Sequence, residues 1–303
     1  MKQWRQPLLH GARRGRAPRR SEPENSRDGI FGISIKEPRI AMFKRLLLLP
    51  LALLAACATS PLGRSQLQLF SDTELAQMGL AAYADLQKNQ PRDTDPVANA
   101  YVRCVANAVT AALPGNTQAW EVTLFRDDSA NAFALPGGKI GVNSGLLRVA
   151  TNQDQLATVI GHEVAHVLAR HSGERLSTQA VVETGLQAVQ AISGATTPAK
   201  QQLMGLLGVG AQVGVLLPFS RTQESEADLL GLDLMARAGF DPRQSVLLWQ
   251  NMERANGSGP PAFLSTHPSP DNRMQALQAR VPQAMELYQQ AHAQGRKPAC
   301  RAP

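Results

Sequence analysis

The chain has 303 residues, 43% hydrophobic and 18% charged, which is enough apolar material for one or two packed domains. Its formal net charge of +7 is unevenly placed: residues 1–41 hold ten Lys/Arg against four Asp/Glu, and the remainder is nearly balanced. That distribution excludes a nucleic-acid-binding surface, because the excess lies in a Pro/Arg/Ser-rich leader without apolar periodicity.

Residues 1–41 read as a disordered or non-native leader, with translation starting at Met42. Residues 42–57 read as an export signal. Met42-Phe43-Lys44-Arg45 is its basic start, and the eleven residues Leu46–Ala56 are its apolar stretch. A permanent membrane span needs about 20 such residues. Leu54-Ala55-Ala56-Cys57 resembles a bacterial lipobox, in which Cys57 is lipidated and becomes the mature N-terminus. More than one acyl chain holds a protein stably on a membrane, at about 0.8 kcal/mol per buried methylene. Ala58, not Asp, follows the cysteine, so the expected address is the periplasm, on the inner leaflet of the outer membrane. Residues 58–70 read as a tether, 71–295 as the folded domain and 296–303 as a C-terminal tail.

Helical apolar spacing runs through Asp72–Gln90, where Ser71 and Glu74 form a capping box, and through Val97–Leu113. Trp120–Arg126 alternates as a strand, while Ala130–Leu135 and Lys139–Asn143 flank the turn Pro136-Gly137-Gly138. These segments predict a small sheet whose open edge can pair with an extended peptide through main-chain hydrogen bonds.

Thr158–Leu168 then carries His162-Glu163-Val164-Ala165-His166 inside an apolar helical run. Four residues turn a helix by roughly 400°, so His162 and His166 project from one face about 6 Å apart along the axis, a spacing at which two imidazoles grip one Zn²⁺. Left unpartnered in such a helix, His162, Glu163 and His166 would each cost about 1–3 kcal/mol. Zinc lowers the pKa of a bound water toward roughly 7, and Glu163 is placed to take its proton as a peptide carbonyl is attacked.

Three schemes offer a third ligand. The metzincin spacing fails, because His171 follows His166 by five residues and Ala169 stands where that pattern has Gly. The thermolysin-like spacing also fails, since Gly185 and Leu186 occupy its window and Glu183 falls short. The third candidate is Glu224, one helical turn before Asp228 in Ser220–Asp228, with Glu226 the next alternative. Asp228 there would orient a histidine or donate a proton. Acidic residues in a first turn also complement the helix dipole.

Between these motifs lies a helical region, Glu174–Leu217, whose glycine-rich apolar end Met204–Leu217 includes Gly210-x-x-x-Gly214 and is too short to span a bilayer. It reads as close helix packing and a candidate lid. A helix follows Glu224 to Arg237, another runs from Asp241-Pro242 to Met252, and a last one covers Asp271–Ala293. Arg273 on that helix is a candidate oxyanion stabiliser, and His171 and His292 read as surface or packing histidines with no assigned role. Cys104 and Cys300 form a possible disulfide, the alternative being a buried thiol and a free one in the tail.

His162 to His166 followed by Glu224-x-x-x-Asp228, with Asn131–Gly138 upstream and Ser265-Thr266-His267-Pro268-Ser269 downstream, resembles one family of zinc endopeptidases. It includes the CAAX prenyl protease and HtpX, with a periplasmic lipoprotein branch represented by LoiP. The resemblance spans about residues 64–285. It implies an α+β, mainly α fold: a gluzincin-type core with a small antiparallel sheet and added helices. It implies one Zn²⁺ per chain on His162, His166 and Glu224, with Glu163 as general base. His267 becomes either a fourth ligand shutting a resting enzyme or a donor to the transition state. Asn131, Ala132, Phe133, Ala134 and Leu135 become a substrate-binding edge. The implied function is lipid-anchored periplasmic proteolysis of misfolded or unassembled envelope proteins, with outer-membrane assembly machinery as a possible partner. The competing reading is a chaperone-like adaptor lipoprotein with a latent metal site. A prenyl-protein protease is disfavoured, because spanning helices are missing.

Overall fold

The computed structural model describes residues 57–115, 118–193, 218–255, 262–269 and 271–303. The segments read as a leader and, up to residue 56, as an export signal lie outside the described residues, as does the run Met204–Leu217.

Local chemistry at helix ends sets where the elements begin. Ser71 and Glu74 bond reciprocally to open α1 (Asp72–Asn89), as the capping box predicts. Asp95 ahead of Pro96 opens α2 (Pro96–Ala111). Asn152 caps α3 (Gln153–Leu168), which carries the His-Glu-x-x-His stretch. After α4 (His171–Ser193), a second reciprocal cap between Ser220 and Gln223 starts α5 (Arg221–Arg237). The helices α6 (Gln244–Arg254), α7 (Ala262–Thr266) and α8 (Arg273–Ala293) complete the described set.

Residues 58–70 depart from the tether expected of them. The strands β1 (Cys57–Thr59) and β2 (Ser65–Leu67) pair as an antiparallel ribbon, closed by hydrogen bonds between Ser60 and Arg64. Strands this short carry too few side chains to show a period of two, so sequence alternation could not reveal them.

The strands β3 (Glu121–Phe125), β4 (Ala132–Leu135) and β5 (Lys139–Asn143) form a three-stranded sheet in the order β3–β5–β4. The β4–β5 pair is antiparallel across a turn in which Gly137 and Gly138 take φ of +87° and +73°, conformations glycine adopts without steric cost. β3 runs parallel to β5, so the sheet is mixed where a purely antiparallel one was expected. Connectivity is the reason: the 126–131 segment carries the chain beyond the central position, and the return strand β5 fills it. β4 is thereby an edge strand, and it packs against α3.

α3 is the centre of the core. Every residue from Gln155 to His166 is buried, and α2, α5, α6 and β4 surround it. A helix enclosed on all sides tolerates polar groups only where they meet partners. Its crossing with α5 is unusually close, because Gly161 and Gly231 meet there. A Cβ on Gly231 would lie 2.7 Å from the His162 backbone nitrogen, so no larger residue fits without moving a helix. Cys104 on α2 is bonded to Cys300, their Cα atoms 5.7 Å apart. The tail also meets the first turn of α3, where the Gln153 side chain bonds Pro298 and Cys300. Among the described residues, no helix is long and apolar enough to cross a membrane.

Candidate metal centre

The close crossing of α3 and α5 sets two helical faces against each other. His162 and His166 lie one turn apart on α3, and Glu224 and Asp228 lie one turn apart on α5. His267, just past α7, closes the cluster through a main-chain bond from its amide to the Phe263 carbonyl. The potential ligand atoms of His162, His166, Glu224 and His267 all lie within 4.8 Å of one another. His162 Nε2 is 3.1 Å from His166 Nε2 and 3.4 Å from both Glu224 Oε2 and His267 Nδ1. Glu224 Oε1 is 3.3 Å from His166 Nε2 and 3.1 Å from His267 Nδ1. Ligands about 2.0–2.2 Å from a tetrahedral zinc are separated by roughly 3.3–3.6 Å, and these edges of 3.1–3.4 Å lie close to that.

Electrostatics agree with the geometry. Burial would push the His162 imidazole down, but Asp228 and Glu224 outweigh it and hold the group up to about 10. Burial pushes His166 well below its ordinary value, against the pull of Glu224. The contacts with His162, His166 and His267 overcome burial and keep Glu224 far below the usual carboxylate range. The carboxylates thus favour positive charge on this cluster, and His162 and His166 compete for it. Nitrogen lone pairs facing each other at 3.1 Å need a proton or a cation between them.

The surrounding side chains fix the members of this cluster. His162 Nδ1 lies 3.0 Å from Asp228 Oδ1, an ionic contact somewhat off the line of a good hydrogen bond. Arg273 donates from Nε to Asp228 at 2.7 Å and from Nη2 to Glu224 at 2.8 Å, so the structure spends this candidate oxyanion residue on two carboxylates and leaves only Nη1 unpartnered. Trp249 lies under the Arg273 guanidinium, Phe219 stacks on His166 and Phe263 stacks on His267. These rings keep water out and raise the strength of every charge–charge contact inside.

Glu163 faces the same space without joining the ligand set; its Oε1 is 3.5 Å from His267 Nε2. Burial raises its pKa, partly offset by His267, His162 and the Ala134 amide of β4. Of the segment 131–135, Asn131 turns its carbonyl to β5, where it accepts from the Asn143 amide. Strand alternation then turns the peptide groups of Ala132 and Ala134 away from β5, the Ala134 amide toward Glu163, while Phe133 and Leu135 point theirs into the sheet. The Asn131 side chain covers the Ala132 amide at 3.0 Å, and Phe133 stacks on Phe125.

One residue of this centre was invisible to spacing arguments. His171 is fully buried, with Nδ1 2.9 Å from His166 Nδ1 and Nε2 3.2 Å from Glu226 Oε2. On a continuous helix a residue five positions on would point about 140° away from His166. α3 ends at Leu168, however, and Arg170 takes φ 55°, so α4 starts at His171 and folds it back beneath the ligand. His292 is a packing residue, bonded to the Gly239 carbonyl.

Comparison with known proteins agrees with this centre. The chain is 39% identical over 187 residues to the mitochondrial metalloendopeptidase OMA1 of Schizosaccharomyces pombe, covering 61% of this chain and 53% of that one. It is 30% identical over 218 residues to the beta-barrel assembly-enhancing protease of Yersinia pestis, covering 70% and 44%. The corresponding Escherichia coli protein is 29% identical over 221 residues, covering 71% and 45%. The chain thus spans about half the length of the curated relatives it matches. The sequence profile of peptidase family M48 matches residues 96–281, the stretch that contains α3, Glu224 and His267, and the chain belongs to that family.

Proposed function

We propose that this chain is a zinc-dependent endopeptidase of the bacterial periplasm, in the lipoprotein branch represented by LoiP. In this reading Cys57 carries the lipid that holds it to the inner leaflet of the outer membrane, and its substrates are misfolded or unassembled envelope proteins. The observation that carries the reading is the buried convergence of His162, His166 and Glu224 at metal-ligand distances from one another, with Glu163 alongside. Relatives named for beta-barrel assembly support an envelope setting and outer-membrane assembly machinery as a partner.

His162, His166 and Glu224 would hold the ion, one per chain. Zinc held there supplies the Lewis acidity that brings a water's pKa toward neutrality. Glu163 takes the proton from the attacking water, a task for which its raised pKa suits it. Asp228 holds His162 with its Nε2 lone pair turned inward, and Arg273 pins both carboxylates. The outer edge of β4, where a substrate would replace the Asn131 side chain on the Ala132 amide, takes the main chain of an extended peptide, which gives affinity with little sequence demand.

His267 stands at the fourth corner, and that observation also favours the second reading, an adaptor whose site is latent. Cleavage of unfolded casein by the purified chain separates the two. A protease loses this activity to a chelator and regains it with added zinc. If His267 is a fourth ligand holding the site shut, His267→Ala raises the rate; if it donates to the transition state, the rate falls. No cleavage by either protein, with zinc bound to both, would leave the adaptor.

The anchor has its own test. Cys57→Ser should release the protein from the membrane fraction or stall it as a precursor, and unchanged fractionation would sink the lipoprotein reading.

A further inference from the structure

The contact of His171 with His166 extends outward through two more charged groups, and the last of them belongs to the N-terminal ribbon. Arg64, at the end of the β1–β2 turn, donates from Nε to Glu226 Oε2 at 3.0 Å. The same ribbon supplies the Leu62 amide to Glu226 Oε1 at 3.4 Å and the Ser60 hydroxyl to the same carboxylate. Glu226 is thus held from both oxygens by residues 60–64, and its remaining partner is His171 Nε2 at 3.2 Å. We propose that Arg64 is a positioning residue for the metal ligand His166, acting through Glu226 and His171.

A carboxylate only accepts, so Glu226 requires the proton of His171 on Nε2. His171 Nδ1 is then a lone pair, and it faces His166 Nδ1 at 2.9 Å, which requires the proton of His166 on Nδ1. His166 Nε2 is left as a lone pair turned toward His162 and Glu224, the state in which an imidazole binds a metal. A ligand histidine held this way is fixed in tautomer and orientation and is a better donor. Arg64 is what keeps Glu226 facing His171. Its other two nitrogens pair with Glu174, whose Oε2 also accepts from Gln223 Nε2 at 2.7 Å. Gln223 belongs to the cap that starts α5, one residue before Glu224. The ribbon therefore steadies ligands on both helices from a single guanidinium.

The inference rests on the metal reading of His162, His166 and Glu224. Its test is zinc affinity of the full chain, measured by competition with a chromophoric chelator, alongside the visible absorption of the cobalt-substituted protein. Arg64→Ala and the near-isosteric Glu226→Gln should each weaken zinc binding about 10–100-fold and alter the cobalt bands. Arg64→Lys, which can still reach Glu226, should recover part of the loss. Thermal unfolding of the metal-free proteins distinguishes a merely structural role, which would lower that midpoint and leave zinc affinity and the cobalt spectrum as in wild type. Wild-type affinity in both Arg64→Ala and Glu226→Gln overturns the proposal. Absence of zinc binding by the wild-type chain would instead remove the metal reading, and this inference with it.

Discussion

Glu163→Gln is expected to remove casein cleavage while leaving zinc content and fold intact. Loss of a general base costs about 10²–10⁴ in rate, which would take a modest protease below detection. Glutamine matches glutamate in shape and keeps an oxygen for the Ala134 amide, but it cannot accept a proton. The substitution should not destabilise the metal-free protein. Burial raises the Glu163 pKa above its ordinary 4.5, so the native state binds the proton more tightly than the unfolded chain does. Stability from this group is complete below the unfolded value and is lost as pH rises through the higher native one. Glutamine lacks that loss, and its metal-free unfolding midpoint at neutral pH should equal or exceed that of the wild type. Wild-type cleavage rates in this variant would overturn the role given to Glu163, and a lost zinc ion would place it among the ligands.

Glu224→Ala should fail in two ways at once. It deletes one of the three proposed ligands, so elemental analysis should find zinc substantially depleted. It also strips Arg273 of its 2.8 Å partner inside the core, where breaking a buried ion pair costs about 3–5 kcal/mol. Asp228 still holds the Arg273 Nε, so the low end is expected. For a domain of this size about 3 kcal/mol lowers the unfolding midpoint by roughly 6–12 °C. Glu224→Gln separates the effects, since its amide oxygen can still accept from Arg273 while binding zinc poorly. Wild-type zinc content in Glu224→Ala would move the third ligand elsewhere. Glu226, the next candidate in sequence, is turned away toward His171 and Arg64.

What could be read without coordinates was whatever one element encodes by itself. The capping box at Ser71 and Glu74, the β4–β5 hairpin around Pro136-Gly137-Gly138 and the shared face of His162 and His166 all follow from periods of a few residues. Such periods are properties of the backbone, so they survive in any tertiary context. The choice of third ligand was only half legible. Spacing rejected two schemes and left Glu224 as a candidate, but proximity to His166 depends on which faces of α3 and α5 cross.

The tertiary structure decided the rest, and in each case the contact is non-local or follows a break in periodicity. Gly161 and Gly231 let two helices approach closely enough for Glu224 to reach both histidines. His171 joins the centre because Arg170 ends the helical period that would have turned it away. Arg273 reads in sequence as a free cation near an active site, and in space it is committed to Asp228 and Glu224. Arg64 reads as part of a tether, yet it reaches α4 and α5 because a ribbon of very short strands fixes its direction. Residue order alone makes legible that one buried helix presents two imidazoles and a carboxylate at metal-binding spacing. Only the packing of distant segments against that helix decided what completes the site, because helix crossings and loop returns depend on side chains far apart along the chain.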